Sequence, residues 1–156
     1  MISRRFSLLS MIVLICMILI GLTQTAPLNK RQEVAAFADF NTGILNKKRS
    51  NSVVGLFTFS NTPDNKCRVI GQFYDGLESP NIKDYTLQIV KMNGDLVFDL
   101  TKTFTNGKVS VHMSGTTSYQ HNFNLNELSL ETVMDNLMIV KNKDNKIGET
   151  LIESLK

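Results

Sequence analysis

The chain has 156 residues, with 17 lysines and arginines, 14 aspartates and glutamates, two cysteines and no tryptophan. Four of the basic residues and none of the acidic ones precede Gln32, so the rest of the chain keeps 13 basic and 14 acidic side chains, a net charge of −1. This balance argues against nucleic acid or an anionic surface as a partner, and the length suits one domain.

The first 25 residues have the pattern of a cleavable signal peptide. Arg4 and Arg5 precede a nearly uninterrupted apolar run over residues 8–20, and polar residues follow up to Thr25. A retained signal anchor is the alternative, but a membrane-spanning helix needs about 20 apolar residues. The sequence therefore predicts a secreted, extracellular protein that is cleaved after Thr25 and has no membrane contact afterwards.

A dibasic pair, Lys30-Arg31, follows the signal peptide. Secretory-pathway proteases cut such pairs in exposed, flexible segments, so we predict a short propeptide over residues 26–31. A second basic site lies at Lys47-Lys48-Arg49. The sequence also leaves open that a short peptide released at Arg31 and Arg49 is the active product and that the remaining domain is its carrier.

Cys67 is the only cysteine left after signal cleavage, because Cys16 lies in the signal peptide. No intramolecular disulfide can form, although small secreted domains usually rely on them. Cys67 shares one face of an alternating segment with Val69 and Phe73, which predicts a buried thiol. An intermolecular disulfide through Cys67 is the alternative.

The remainder divides into a leader over residues 32–52 and a β-domain over residues 53–156. Residues 34–40 of the leader suit either a first strand or a short helix. The β-domain alternates apolar and polar residues with a period of two. We predict strands at 53–60, 67–74, 85–91, 96–104, 108–114, 119–125, 137–141 and 150–155. The pattern indicates an all-β fold, an antiparallel β-sandwich or flattened Greek-key barrel of seven to eight strands.

Two Asn-Gly pairs, at Asn93-Gly94 and Asn106-Gly107, separate three of these strands. Asn-Gly is the usual sequence of a type I′ hairpin turn, so residues 85–114 are predicted to form a three-stranded antiparallel meander. Residues 126–134 are the one stretch that suits a short helix.

The two histidines are the main candidates for chemistry, since no catalytic motif occurs in the chain. His112 alternates with Ser110 and Ser114 on a polar face, whereas His121 falls on an apolar face and is expected to be a hydrogen-bonded core residue. The two could also approach each other across a hairpin and form a metal pair with Asp99. Zinc and copper sites generally need three or four ligands, so we expect no cofactor, with copper or zinc as the alternative.

Several segments taken in chain order resemble the copper/zinc superoxide dismutase family. Residues 54–60 are similar to its first conserved strand and residues 69–77 to its Gly-x-x-x-Gly-Leu segment. Residues 85–88 are similar to its Phe-His-Val-His strand. Residues 137–148 resemble its Leu-Val-Val-His-Glu block and the Asp-Asp-Leu-Gly that follows. The resemblance covers about residues 53–148 and implies a superoxide-dismutase-like sandwich.

The same resemblance places Thr86, Gln88 and Lys141 at positions that hold copper-binding histidines in the family. The resemblance also implies that the zinc-binding loop is missing, since Asp95 and Asp99 are nearly adjacent. Asp99 is the one position where a metal-ligand identity survives, without its histidine companions. A lysine ammonium repels a cation rather than binding it, so the resemblance implies no dismutase activity.

These observations lead to a functional expectation. The chain is expected to be a secreted, non-enzymatic binding or interaction protein whose partner is an extracellular protein or surface ligand. The alternative is a residual metal-binding antioxidant protein that uses His112, His121 and Asp99, and this alternative leaves the question of enzyme activity open.

Overall fold

Antiparallel strands carry most of the computed structural model, which describes residues 35–41, 52–106 and 108–155. The predicted signal peptide, the predicted propeptide with Thr25, Lys30 and Arg31, and the Lys47-Lys48-Arg49 site lie outside the described residues. Glu33–Lys156 forms one compact unit. None of the helices in the described ranges is long and apolar enough to span a membrane.

The described residues form ten strands and two short α-helices. The strands are β1 (Ala35–Asp39), β2 (Val54–Asn61), β3 (Lys66–Asp75), β4 (Tyr85–Val90), β5 (Leu96–Asp99), β6 (Val111–His112), β7 (Gly115–Thr116), β8 (Tyr119–Asn124), β9 (Leu137–Asn142) and β10 (Asn145–Ser154). The helices are α1 (Thr101–Phe104) and α2 (Leu130–Val133), and a 3₁₀ turn spans Ile82–Asp84.

Eight of the strands form one curled antiparallel sheet in the order β5-β4-β9-β10-β1-β2-β3-β8. Strands β6 and β7 pair only with each other, as a separate two-stranded ribbon. The all-β, antiparallel sandwich predicted from the period of two is confirmed. Strands β5 and β8 are the two edges of the large sheet, and the gap between them is important for the site described below.

The core contains a cluster of aromatic rings from the neighbouring strands β2, β3 and β8 and from helix α1. The ring centroids of Phe57 and Phe73 are 5.1 Å apart, and Phe104 meets Phe73 edge-on at 6.1 Å. Tyr119 packs against Phe104 at 5.7 Å. Burying a side chain of this size contributes about 1.5–3 kcal/mol, so the cluster stabilises a domain that has no disulfide within it.

Gly71 makes room for this cluster. It lies directly opposite Phe57 in the β2–β3 ladder, and a Cβ atom on Gly71 would overlap the Phe57 ring. The Phe57 side chain therefore lies over the glycine and turns toward Phe73.

Cys67 is fully buried and free, on the same inward face of β3 as Val69 and Phe73. The prediction of a buried thiol is confirmed. Burial raises the pKa of Cys67 to about 11. An intermolecular disulfide through Cys67 would require this part of β3 to leave the core.

The segment Ala35–Asp39, for which the sequence allowed a strand or a helix, is a strand. It lies between β2 and β10 and pairs with both, because Ala36 and Ala38 alternate inward and are fully buried. The sheet therefore includes part of the region predicted as a leader over residues 32–52.

The predicted strand over residues 96–104 ends early. Strand β5 stops at Asp99, whose Oδ1 accepts a hydrogen bond from Thr101 N at 2.8 Å, and the chain continues as α1. This short helix buries Phe104 in the core. The carboxylate bond to the backbone offers the chain a turn in place of the ladder, and the alternation of residues did not reveal it.

The predicted three-stranded meander is wrong in its third strand. Strands β4 and β5 do form a hairpin. Its turn has a Lys91 O to Gly94 N bond, with Gly94 in the left-handed region, and Asn93 has no positive φ, so the turn is not type I′. The predicted strand over residues 108–114 instead turns back at Met113 (φ 56°), so that β6 pairs with β7.

Two further elements differ in extent from the sequence expectation. Strand β10 begins at Asn145, directly after a tight turn in which Lys143 has φ 54°, and it pairs with β9. The helix expected within residues 126–134 is only the single turn Leu130–Val133, which the Ser129 side chain caps by accepting from Thr132 N.

Candidate functional site

The outward side chains at the four positions singled out by the resemblance lie next to one another. Thr86 of β4 lies directly opposite Lys141 of β9, and Gln88 of β4 lies directly opposite Asp99 of β5. Strand partners in register have Cβ atoms about 5 Å apart on the same face. We call this group, Thr86, Gln88, Asp99 and Lys141, the polar face.

Hydrogen bonds fix the Asp99 end of the polar face. Gln88 Nε2 donates to Asp99 Oδ2 at 3.5 Å, while Asp99 Oδ1 accepts from Thr101 N. Partial burial acts to raise the pKa of Asp99, but the bonds from Thr101 and Gln88 outweigh it and hold the pKa below its usual range. Asp99 is therefore an ionised carboxylate at neutral pH.

The Lys141 end of the polar face is less well paired. Lys141 faces Lys146 on β10 as well as Thr86 on β4, and Lys146 forms its ion pair with Glu149 at 2.6 Å. Two like charges directly opposite each other are unfavourable. Thr86 Oγ1 is buried without a hydrogen-bond partner among the described residues.

The polar face does not fit the copper ion that the resemblance implies. Copper sites in proteins use imidazole nitrogens and soft sulfur ligands, whereas these positions carry a hydroxyl, an amide and an ammonium group. Over the ranges that the structure describes, no group of three histidine, cysteine, aspartate or glutamate side chains lies close enough to hold a metal.

The two histidines are not brought together as a hairpin pair. His112 is exposed on β6, where its Nε2 is 2.9 Å from Ser110 Oγ. Its alternation with polar serines in the sequence predicted this exposure. His121 lies on β8, whose partner is β3 rather than β6. The expected approach across a hairpin fails because the chain turns back at Met113 before it reaches β8.

His121 also differs from the hydrogen-bonded core histidine that the sequence predicted. Its ring packs against Phe123, with centroids 4.5 Å apart, but it is only half-buried. No protein group in the described ranges hydrogen-bonds the imidazole. His121 lies instead at the mouth of a cleft.

This β5–β8 cleft has a volume of about 430 Å³ and opens between the two edge strands of the sheet. Its lining residues are Phe98, Asp99, Lys102, Thr103, Asn106, His121, Phe123 and Glu127. The rings of Phe98 and Phe123 meet edge-on at 5.2 Å across the gap. The volume is within the range of about 300–1,000 Å³ that is usual for ligand sites.

Helix α1 forms one wall of the cleft and is tied to β8. Thr103 Oγ1 and Tyr119 Oη lie 2.7 Å apart, and Thr103 Oγ1 also donates to Leu100 O at 2.9 Å. Burial raises the pKa of Tyr119 to about 12, so its hydroxyl stays protonated. The wall is therefore held in place before any ligand arrives.

Sequence reasoning placed Asp99 and His121 among the candidates but missed Lys102 and Glu127. Lys102 fell inside a predicted strand, and Glu127 inside a stretch read as a helix. Only the curling of the sheet brings β5 and β8 together, so no local pattern in the chain could have revealed the cleft.

The curled sheet defines the domain as a β-sandwich of superoxide dismutase type. It is similar to an Asp-to-Asn mutant of Candida albicans superoxide dismutase 5, with TM-score 0.54 and 14% identity over 79% of this chain and 93% of that chain. The Cu(II) form of the same enzyme gives TM-score 0.52 and 15% identity over 80% of this chain and 94% of that chain. At these identities the likeness shows the fold alone. No protein-family profile and no curated protein matches the sequence.

Proposed function

We propose that this chain is a secreted, non-enzymatic binding protein on a superoxide-dismutase-like sandwich, and that the polar face is its partner surface. The observation that carries the proposal is the strand register, which aligns Thr86 with Lys141 and Gln88 with Asp99. The positions that hold copper in the family, Thr86, Gln88 and Lys141, form one contiguous surface with Asp99. Its amide, ammonium and carboxylate groups are suited to hydrogen bonds and ion pairs.

The chemistry of this surface favours a polar extracellular partner. Lys141 offers an ammonium group and Asp99 an ionised carboxylate on the same face. Charges of both signs at fixed positions favour recognition of a complementary protein or surface ligand over non-specific attraction. The apolar run over residues 8–20 supports the secreted location.

Restoring the missing imidazoles tests the non-enzymatic part of the proposal. The native chain and the triple variant Thr86→His, Gln88→His, Lys141→His would be expressed in full, collected from the medium, and incubated with copper and zinc. We expect metal in the triple variant only, measured by mass spectrometry of the protein fraction. Stoichiometric copper and superoxide dismutation by the native chain would overturn the proposal.

A charge reversal tests the partner surface. Lys141→Glu should abolish retention of an extracellular partner by the immobilised domain, while Lys83→Glu, on the exposed 3₁₀ turn outside the polar face, makes the same charge change and should leave retention unaltered. Equal retention by the native protein and both variants would remove the polar face from the proposal.

A residual metal-binding antioxidant protein is the second candidate function. The observation on its side is that Asp99 and His121 line the same cleft together with Glu127, although these three side chains do not lie close enough together to hold a metal ion between them. Stoichiometric copper or zinc in the native protein that is lost on His121→Ala would support it.

A further inference from the structure

The β5–β8 cleft arises from the incomplete closure of the sheet. Strands β5 and β8 are its two edges and do not pair with each other. The chain leaves β5 at Asp99 to form α1, so no further strand from residues 35–41, 52–106 or 108–155 pairs with either edge. The side chains of Phe98 and Phe123 close the gap from within, which leaves a concave site with an aromatic floor.

The charged groups around this floor are unequal in number. Asp99 and Glu127 contribute two carboxylates, and Lys102 contributes one ammonium. Glu127 Oε2 accepts hydrogen bonds from Asn124 N at 3.2 Å and from Asn124 Nδ2 at 3.4 Å. No described residue donates to its other oxygen, Oε1. A ligand can therefore reach a fixed carboxylate without breaking a protein contact.

The His121 imidazole also lies at the mouth of the cleft. It is half-buried against Phe123. An excess of carboxylate over ammonium groups beside two aromatic side chains favours a ligand with a positively charged group and an apolar body.

We infer that the β5–β8 cleft binds a small organic cation, an ammonium group carried on an aromatic or aliphatic body. The apolar body packs against Phe98 and Phe123, and the ammonium group donates to Glu127 Oε1 and to the Asp99 carboxylate. This site is separate from the partner surface proposed above, although Asp99 borders both. Glu127 belongs to the cleft alone, so it is the residue on which the test is built.

The same ligand chemistry has two sources, a free arylalkylamine and a lysine side chain of a peptide. The probes are 2-phenylethylamine for the first and the blocked dipeptide acetyl-Phe-Lys-amide for the second. The anionic analogue 3-phenylpropionate has a similar body and the opposite charge. Tighter binding of 2-phenylethylamine would identify a free amine as the class of ligand. Tighter binding of the dipeptide would identify a lysine side chain of a peptide.

The experiment is a titration of the secreted full-chain product followed by amide chemical shifts. We expect either cationic probe to shift residues of β5, α1 and β8 and to bind at least fivefold more tightly than 3-phenylpropionate. Glu127→Gln keeps an oxygen for the Asn124 bonds and should weaken cation binding about two- to fivefold, the range for one exposed ion pair. Lys102→Gln should strengthen it.

Glu131→Gln is the matched control, since it removes the same charge from α2, outside the cleft lining. It should leave the affinity unchanged. Equal weakening by Glu127→Gln and Glu131→Gln, tighter binding of 3-phenylpropionate, or no shift with either cation at millimolar concentration would overturn the inference. Metal content plays no part in the readout, so these results are independent of the test of the polar face.

Discussion

Packing of Phe57 over Gly71 predicts a specific energetic coupling between two strands. Gly71→Ala places a methyl group where the Phe57 ring lies. Overpacking of this kind costs about 1–3 kcal/mol, a large fraction of the 5–15 kcal/mol that stabilises a typical domain. We therefore expect Gly71→Ala to lower the free energy of unfolding by about 2 kcal/mol.

The cost should depend on the aromatic ring. Phe57→Ala removes the ring atoms that an added Cβ on Gly71 would overlap, at a cost of its own of about 3–5 kcal/mol for the lost contacts in the cluster. In that background Gly71→Ala should cost less than about 1 kcal/mol, because the methyl group then fills part of the space. The two substitutions are thus non-additive, by about 1–2 kcal/mol.

Urea unfolding followed by far-ultraviolet circular dichroism measures all four free energies. Gly94→Ala is the control: Gly94 has φ +92° in an open turn, with no atom within 4 Å of an added Cβ. Its cost is backbone strain of about 1–2 kcal/mol and should be the same with phenylalanine or alanine at position 57. If Gly71→Ala costs the same in both backgrounds, the reasoning from ring overlap is refuted.

Three other predictions concern titration and processing. The Cys67 thiol should resist a thiol reagent in the folded domain, and rapid labelling at pH 8 would contradict this. The free energy of unfolding should fall as the pH rises from about 8.5 towards the raised pKa of about 11, because the thiol of the unfolded state loses its proton first. Hydrogen bonds from Ser114 and Gly76 lower the pKa of Asp75, so stability should fall as the pH drops below about 4 and Asp75→Asn should flatten that dependence in an acid titration. Sequencing of the secreted protein should show Gln32 as its first residue, and a start at Ala26 would rule out the propeptide.

The local rules of the sequence determined much of the sheet. The alternation in residues 53–60 and 67–74 predicted β2 and β3, with Cys67, Val69 and Phe73 on the inward face, because side chains on a strand point to opposite faces in turn. The Asn93-Gly94 pair predicted the β4–β5 hairpin. These features depend on neighbours in the chain, so one sequence is enough to find them.

Partner choice among strands was decided only by the tertiary structure. The period of two is the same for every strand, so it does not say that β8 pairs with β3 or that β1 lies between β2 and β10. Strand β5 ends at Asp99 because the Asp99 side chain accepts a hydrogen bond from Thr101 N, and the alternation of apolar and polar residues does not predict this end. The resemblance supplied the overall fold that periodicity alone left open between a sandwich and a barrel.

The candidate site divides in the same way. The polar face could be named from the sequence because its four positions follow from the resemblance and from the face of each strand. The β5–β8 cleft could not be named, since Glu127 and Lys102 come to line one cleft only when the sheet curls and its edges approach. Contacts between residues far apart in the chain are set by packing of the whole core. The local sequence of one edge strand therefore does not predict which other strand it approaches.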